Sequence, residues 1–274
     1  MSDAKPFDRT LLSLRRDRAA LCGQEEDEFV FTEAAERLLD RLDDVTRRFP
    51  LALDLGARGG LIGARLQGQG GIERLVACDL SPRFAGQALK AGQMALAADE
   101  ELLPFQGAVF DLVLSSLVLH WVNDLPGALI QIRRALKPGG LFLASLLGGS
   151  TLTELRQCLL EAESEILGGA APRVSPMASL RDLGGLMQRA GFRQPVVDSE
   201  ILTVRYKEPF RLLSDLRAMG ETASFDKRLR QPLRRDVLLR AMGLYAERLA
   251  DAEGRVPASF EILTLTGWVF EEEA

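Results

Sequence analysis

The chain has 274 residues, 47% of them hydrophobic and 27% charged, which suits one large α/β domain with a smaller addition. A formal charge of −5 argues against a general nucleic-acid binder. No apolar run is long enough to span a membrane and no charged-then-apolar leader opens the chain, so a cytoplasmic protein is expected, with peripheral association at the inner face of a membrane left open.

A helix is predicted over residues 8–21, and residues 1–45 together read as a helical lid segment ahead of the main domain, 46–274. Its cluster Arg15, Arg16 and Arg18, like the later Lys227, Arg228, Arg230, Arg234 and Arg235, reads as a solvated helix face; docking to an acidic protein or anionic lipid is the alternative. Cys22, Cys78 and Cys158 are too scattered for a disulfide framework or a metal site and read as buried packing residues.

The stretch LALDLGARGG over 51–60 is a strand ending at Asp54, followed by a turn in which Gly56, Gly59 and Gly60 let a ligand approach the main chain near a helix N-terminus. Paired glycines in such a turn also occur for steric reasons alone. Here a second strand, 75–79, follows and closes on Asp79, whose carboxylate is placed to accept from two ribose hydroxyls. The βαβ layout therefore predicts an adenosine-bearing ligand. After a third short strand, Asp99 lies in a loop where it can receive an adenine amino group, or simply be a solvated acid beside Glu100 and Glu101.

A fourth strand is predicted over 110–115, a helix over 125–136 stopped by Lys137, Pro138, Gly139 and Gly140, and a fifth strand over 141–147. Helices over 151–167 and 179–190, a strand over 195–206, a helical stretch over 209–250 broken near Gly220 and Pro232, and a strand over 261–270 complete the chain. The last two strands read as an antiparallel pair closing the sheet, with a helical insertion at about 208–255 folding over the site as a lid. His120, the only histidine, sits beside Trp121 just after the fourth strand. It is the candidate base, and Trp121 could pack against a planar cation such as guanidinium; alternatively both close the pocket as packing residues.

The motifs LDLG (53–56), CD (78–79), LPF (103–105), FDLV (110–113) and LKPGG (136–140) resemble the class I S-adenosylmethionine-dependent methyltransferases. A narrower match in FDRTLLSLRRDRAA, DEELLPF, LVLHWVNDLPGAL, GGSTLTELR, VSPMASLRDLGGLMQRAGF and VPASFEILTLTGW is similar to the mitochondrial complex I assembly factors of that superfamily and their alphaproteobacterial relatives, over nearly the whole chain. Malonyl-carrier-protein methyltransferases are a more distant resemblance.

The resemblance implies a Rossmann-like α/β fold, with a mostly parallel seven-stranded sheet, helices on both faces and a helical lid insertion. It implies S-adenosylmethionine held by Asp54, Gly56, Ala57, Arg58, Gly60, Asp79, Leu80, Asp99, Glu100 and Ser115, with His120 and Trp121 facing the substrate. Arginine hydroxylation on a complex I subunit is the implied activity and a protein the implied partner. Three readings follow: such a modifier or assembly factor, an O-methyltransferase for a carrier-bound or small-molecule acid, and a non-catalytic binding protein on this scaffold. Arg58 stands where the family's turn has its middle glycine, which favours the third. One histidine cannot supply a two-histidine iron site and no cysteine set suits an iron–sulfur cluster, so a hydroxylase of this family would draw its oxidant from a source the sequence does not show.

Overall fold

The computed structural model describes residues 5–175, 177–226 and 232–270. Among these the order is α1 (Arg9–Cys22), α2 (Phe29–Asp43), β1 (Leu51–Leu55), α3 (Leu61–Arg65), β2 (Arg74–Asp79), α4 (Pro82–Lys90), β3 (Met94–Ala97) and β4 (Phe110–Ser116). Then come α5 (Leu125–Ala135), β5 (Leu136–Leu147), α6 (Thr153–Leu167), α7 (Leu180–Arg189), β6 (Arg193–Tyr206), α8 (Pro209–Ala218), α9 (Arg235–Leu249) and β7 (Val256–Trp268).

The strands form one seven-stranded sheet in the order β3-β2-β1-β4-β5-β7-β6. The first five are parallel, and β7 runs antiparallel between β5 and β6. Strand order reverses between β1 and β4, which opens a crevice at their carboxyl ends. This is the Rossmann-like α/β sheet expected from the motifs.

Local chemistry sets the helices. Asp8 caps α1 by accepting from the Leu11 amide at 2.9 Å, and Ser81 caps α4 ahead of Pro82, whose missing N–H suits a first helical turn. On α2 the residues Val30, Phe31, Ala34, Leu38 and Leu42 recur at helical spacing and are all buried. Leu38 and Leu42 press on one sheet face with Ala52, Leu112 and Leu143; Leu53, Val113 and Phe142 meet α5 and α7 on the other. A separate apolar cluster ties α6, α8 and α9 to the end of β7 through Leu159, Leu212, Tyr245 and Phe260.

The structure shifts several sequence-based bounds. LKPGG is not a turn: β5 begins at Leu136, paired with Phe110, and the register shift before Leu112 is accommodated by Gly139 at φ 77°. The last strand starts at Val256 rather than 261, because it pairs with β6 from Tyr206 onward. Pro257 is tolerated there because β5 reaches only to Ile262, leaving one strand edge without a ladder to maintain. The stretch 209–250 resolves into α8 and α9, with residues 227–231 between them outside the described residues. Lys227, Arg228 and Arg230 therefore lie outside the described part, whereas Arg234 and Arg235 are exposed.

Truncating the buried stripe of α2 tests this architecture. Leu38→Ala, at a fully buried position, is expected to cost about 2–5 kcal/mol in urea unfolding, while Leu160→Ala, at a residue 54% exposed, should cost well under that.

Candidate functional site

The crevice between β1 and β4 gathers most of the residues singled out from the sequence. Asp54, one residue before the end of β1, has both carboxylate oxygens buried and without a hydrogen-bond partner. Ser115, on β4, donates to the Leu55 carbonyl at 2.9 Å and so ties the two strands at the switch point. The turn that follows is left-handed at Gly56, Arg58, Gly59 and Gly60. At Gly56 a Cβ would lie 2.6 Å from Val118, so glycine is required by space as well as by φ. The amides of Gly56 and Ala57 both donate to the Cys78 carbonyl, which locks the turn to β2.

Arg58 adopts φ 44°, a strained value for a side-chain-bearing residue, at a cost of about 1–3 kcal/mol. Its guanidinium is buried: it pairs with Glu28, donates to the Met219 carbonyl at 2.6 Å and lies 3.5 Å over the Phe31 ring. The arginine thus points away from the turn and binds the start of α2 to the segment after α8. Its backbone amide meanwhile donates to Asp79 at 2.9 Å, and the Ser81 amide donates to the other Asp79 oxygen at 2.8 Å.

Helix α1 covers the acidic residues beside β2 and β3. Arg16 is 4% exposed, donates to Glu100 at 2.7 Å and stands 3.9 Å from Asp79. Arg9 donates to Asp99 at 2.6 Å, to Glu100 and to the Trp121 carbonyl at 3.2 Å. Burial would raise Glu100, but Arg16 and Arg9 outweigh it and hold the carboxyl below its usual range. Burial pushes Asp79 up despite Arg16, which lies closer to Glu100. Leu80 joins Phe7, Leu12 and Trp121 in a small apolar cluster under α1, and its carbonyl accepts from Ser13 at 3.2 Å.

His120 and Trp121 lie on a short helical turn after β4, both buried. The Leu147 amide approaches His120 Nδ1 at 3.5 Å, so the ring proton belongs on Nε2, which faces Glu221 at 3.2 Å. The same Glu221 oxygen accepts from Trp121 Nε1 at 2.7 Å. Burial would raise Glu221, but the His120 hydrogen bond and the nearby Arg58 and Arg16 guanidinium groups leave it lowered and ionised. Beyond this trio opens a cavity of about 650 Å³, lined mainly by apolar side chains including Phe31, Leu117, Leu152, Leu213, Met219 and Phe260.

Two expectations need correcting. Arg15 and Arg16 are not a solvated face: Arg16 is buried on Glu100, and Arg15 turns inward to the carbonyls of Thr222 and Ala223, leaving Arg18 exposed. Cys22 is exposed, since it closes α1 beyond the buried stripe; Cys78 and Cys158 are buried. Sequence reasoning also missed Glu221, which no motif marks, and Arg9, whose only signal was its place about two turns ahead of the arginine pair. Among the described residues no three His, Cys, Asp or Glu side chains gather as metal ligands would.

Burial, reinforced by the charge of Asp79, pushes Asp54 up to about 8, so its carboxyl is neutral at pH 7. The folded state then binds a proton that the unfolded chain releases near its ordinary value, so stability falls as pH rises between about 4 and 8, by at most about 1.4 kcal/mol per unit. Asp54→Asn is expected to remove this slope, and its melting temperature should overtake the parent's as pH approaches 8. Parallel slopes for the two proteins would show that Asp54 is ionised.

Residues 53–144 match the methyltransferase domain family. The sequence is 41% identical over 266 residues to the zebrafish (Danio rerio) mitochondrial arginine-hydroxylase NDUFAF5, covering 96% of this chain and 82% of that protein. The human NDUFAF5 is 41% identical over 97% of this chain and 77% of its own length. A malonyl-[acyl-carrier protein] O-methyltransferase from Halorhodospira halophila is 32% identical, over 97% of this chain and 90% of that protein. The fold matches the YcgJ protein from Bacillus subtilis with a TM-score of 0.60 at 14% identity, over 86% of this chain and all of that one. It also matches Haemonchus contortus phosphoethanolamine N-methyltransferase 2 in complex with S-adenosyl-L-methionine, with a TM-score of 0.54 at 19% identity, over 89% of this chain and 56% of that one. With these similarities running through α1 and the α8–α9 region as well as the parallel sheet, the chain belongs to the NDUFAF5 family of class I methyltransferase-fold proteins.

Proposed function

We propose that the protein binds S-adenosylmethionine at the β1–β4 crevice and hydroxylates an arginine of a respiratory complex I subunit during assembly, the oxygen atom and the two-electron oxidation being supplied by dioxygen with an external two-electron reductant that carries the second oxygen atom to water. The observation that carries this is the identity to named arginine hydroxylases across 96–97% of the chain, which includes the segments that build the cavity and not only the nucleoside-binding core. Complex I enters through the assembly-factor resemblance of motifs such as LVLHWVNDLPGAL. The place of action is the cytoplasm or its membrane face; among the described residues no helix is long and apolar enough to cross a membrane.

The residues present suit the cofactor. Asp54 presents two buried oxygens without a protein donor, and Asp79 keeps acceptor capacity beyond its two backbone amides. In this reading Asp54 and residues 56–60 hold the methionine end, Asp79 the ribose, and Asp99 and Glu100 the adenine. Bound there, the cofactor supplies a sulfonium-activated methyl group. Arg9 and Arg16 engage the same carboxylates, so α1 must share or release those bonds on binding, and with the α8–α9 region it acts as the lid. Arg58 does not obstruct the reading, because its side chain is directed to Glu28 and Met219.

Calorimetric titration with S-adenosylmethionine is expected to give micromolar binding, weakened at least about tenfold in Asp79→Ala with the fold intact by thermal melting. No heat from the parent protein would remove the cofactor from the proposal. In cells lacking the gene, mass spectrometry of complex I subunits should show an arginine that has lost one oxygen atom, with less assembled complex on native gels. The relatives named for malonyl-carrier-protein methylation favour a second reading. Methyl ester formation on a malonyl-carrier protein, with arginine and complex I unchanged in the deletion, would install it instead.

A further inference from the structure

We propose that Glu221 is the carboxylate that receives the cationic end of the substrate, and that the apolar cavity beside it selects a guanidinium carried on an aliphatic stem. This rests on the arginine-bearing substrate proposed above and adds the group that recognises it. Glu221 leaves α8 just after Gly220 and reaches the sheet edge with its side chain 7% exposed. Its Oε2 is used twice, by His120 and Trp121, while among the described residues none donates to Oε1. An enclosed carboxylate that uses only one oxygen keeps acceptor capacity on the other, which an incoming N–H can take up.

The surroundings decide which donor. The other charged residues of the lining are arginines with contacts elsewhere or open to solvent: Arg15 bonds the carbonyls of Thr222 and Ala223, Arg173 pairs with Glu163, and Arg217 is exposed. Among the described residues Glu221 is the one acidic side chain of the lining, so the acceptor it offers is anionic. Trp121, fixed by its own N–H on Glu221, forms part of the wall, and a planar cation can pack against an indole as well as donate. Guanidinium is more weakly hydrated than ammonium, so it enters an apolar cavity at lower desolvation cost. A volume near 650 Å³ also leaves space for the methylene stem and an adjoining apolar residue.

The test uses the full-length protein and four probes that differ only in the head group: octylguanidinium, octylammonium, octanoate and 1-octanol. Octylguanidinium is expected to bind the parent protein at least about tenfold more tightly than the other three, a factor suited to one hydrogen bond on a charged group. Glu221→Gln keeps an oxygen for Trp121 and should erase that preference; Leu238→Trp, which fills the cavity and leaves Glu221 alone, should abolish binding of all four. Both variants are checked by thermal melting. A preference for octanoate, equal binding of octylammonium or octanol, no binding by any probe, or an unchanged preference in Glu221→Gln overturns the proposal. No cofactor or complex I subunit is involved, so the outcome separates the two readings. If the guanidinium preference holds while the deletion strain shows unaltered arginine, the assembly reading fails and the site stands. A lost arginine modification with no such preference sinks only the role of Glu221.

Discussion

Four carboxylates are packed against the carboxyl ends of the parallel strands, and neutralising them is the constraint on which the site depends. Asp54, Asp79 and Glu100 are 2% exposed or less, and Glu221 is nearly as enclosed. An isolated buried carboxylate is strongly disfavoured, so each needs a proton, a cation or a set of donors. The chain uses all three. Asp54 keeps its proton; Asp79 collects two backbone amides; Glu100 takes two arginines from α1; Glu221 takes the ring N–H groups of His120 and Trp121.

That solution explains why segments outside the sheet are joined to it by charge as much as by apolar contact. Helix α1 packs on α4 and α8, yet what fixes it over the crevice is the set of Arg9 and Arg16 bonds. Arg58 does the same between the start of α2, through Glu28, and the chain after α8, through the Met219 carbonyl. Removing one member of such a set leaves another charge buried and unpaired, which is why these contacts are cooperative rather than independent. Opening the crevice therefore exchanges one set of donors for another, and a ligand rich in hydroxyl and amino groups is suited to that exchange.

The parallel half of the fold was legible because each of its features is local. Asp54, the glycines after it and Asp79 lie within one βαβ unit, and their spacing fixes where the backbone must turn. The antiparallel half was legible in outline only. The true start of β7 at Val256 depends on pairing with Tyr206, fifty residues earlier in the chain, and propensity at Pro257 argues against a strand. The arginines of α1 were misread for a related reason: a basic cluster on a short amphipathic helix looks solvated until its acidic partners, some eighty residues away, are brought beside it. Glu221 carried no signal at all, since its meaning comes from a contact a hundred residues distant.

The division between what could and could not be read corresponds to a division of labour in the fold. The β1–β4 crevice is built from short-range pattern within one βαβ unit and its neighbour strand. A fold of this kind does not determine what happens beside it. In this chain the residues that reach the crevice from elsewhere, Arg9 and Arg16 from α1 and Glu221 after α8, determine its charge and its access. Glu221 binds the histidine and the tryptophan with one oxygen and also lines the cavity, so the helical additions supply the charged groups of this site while the sheet provides the fixed edge they pack upon.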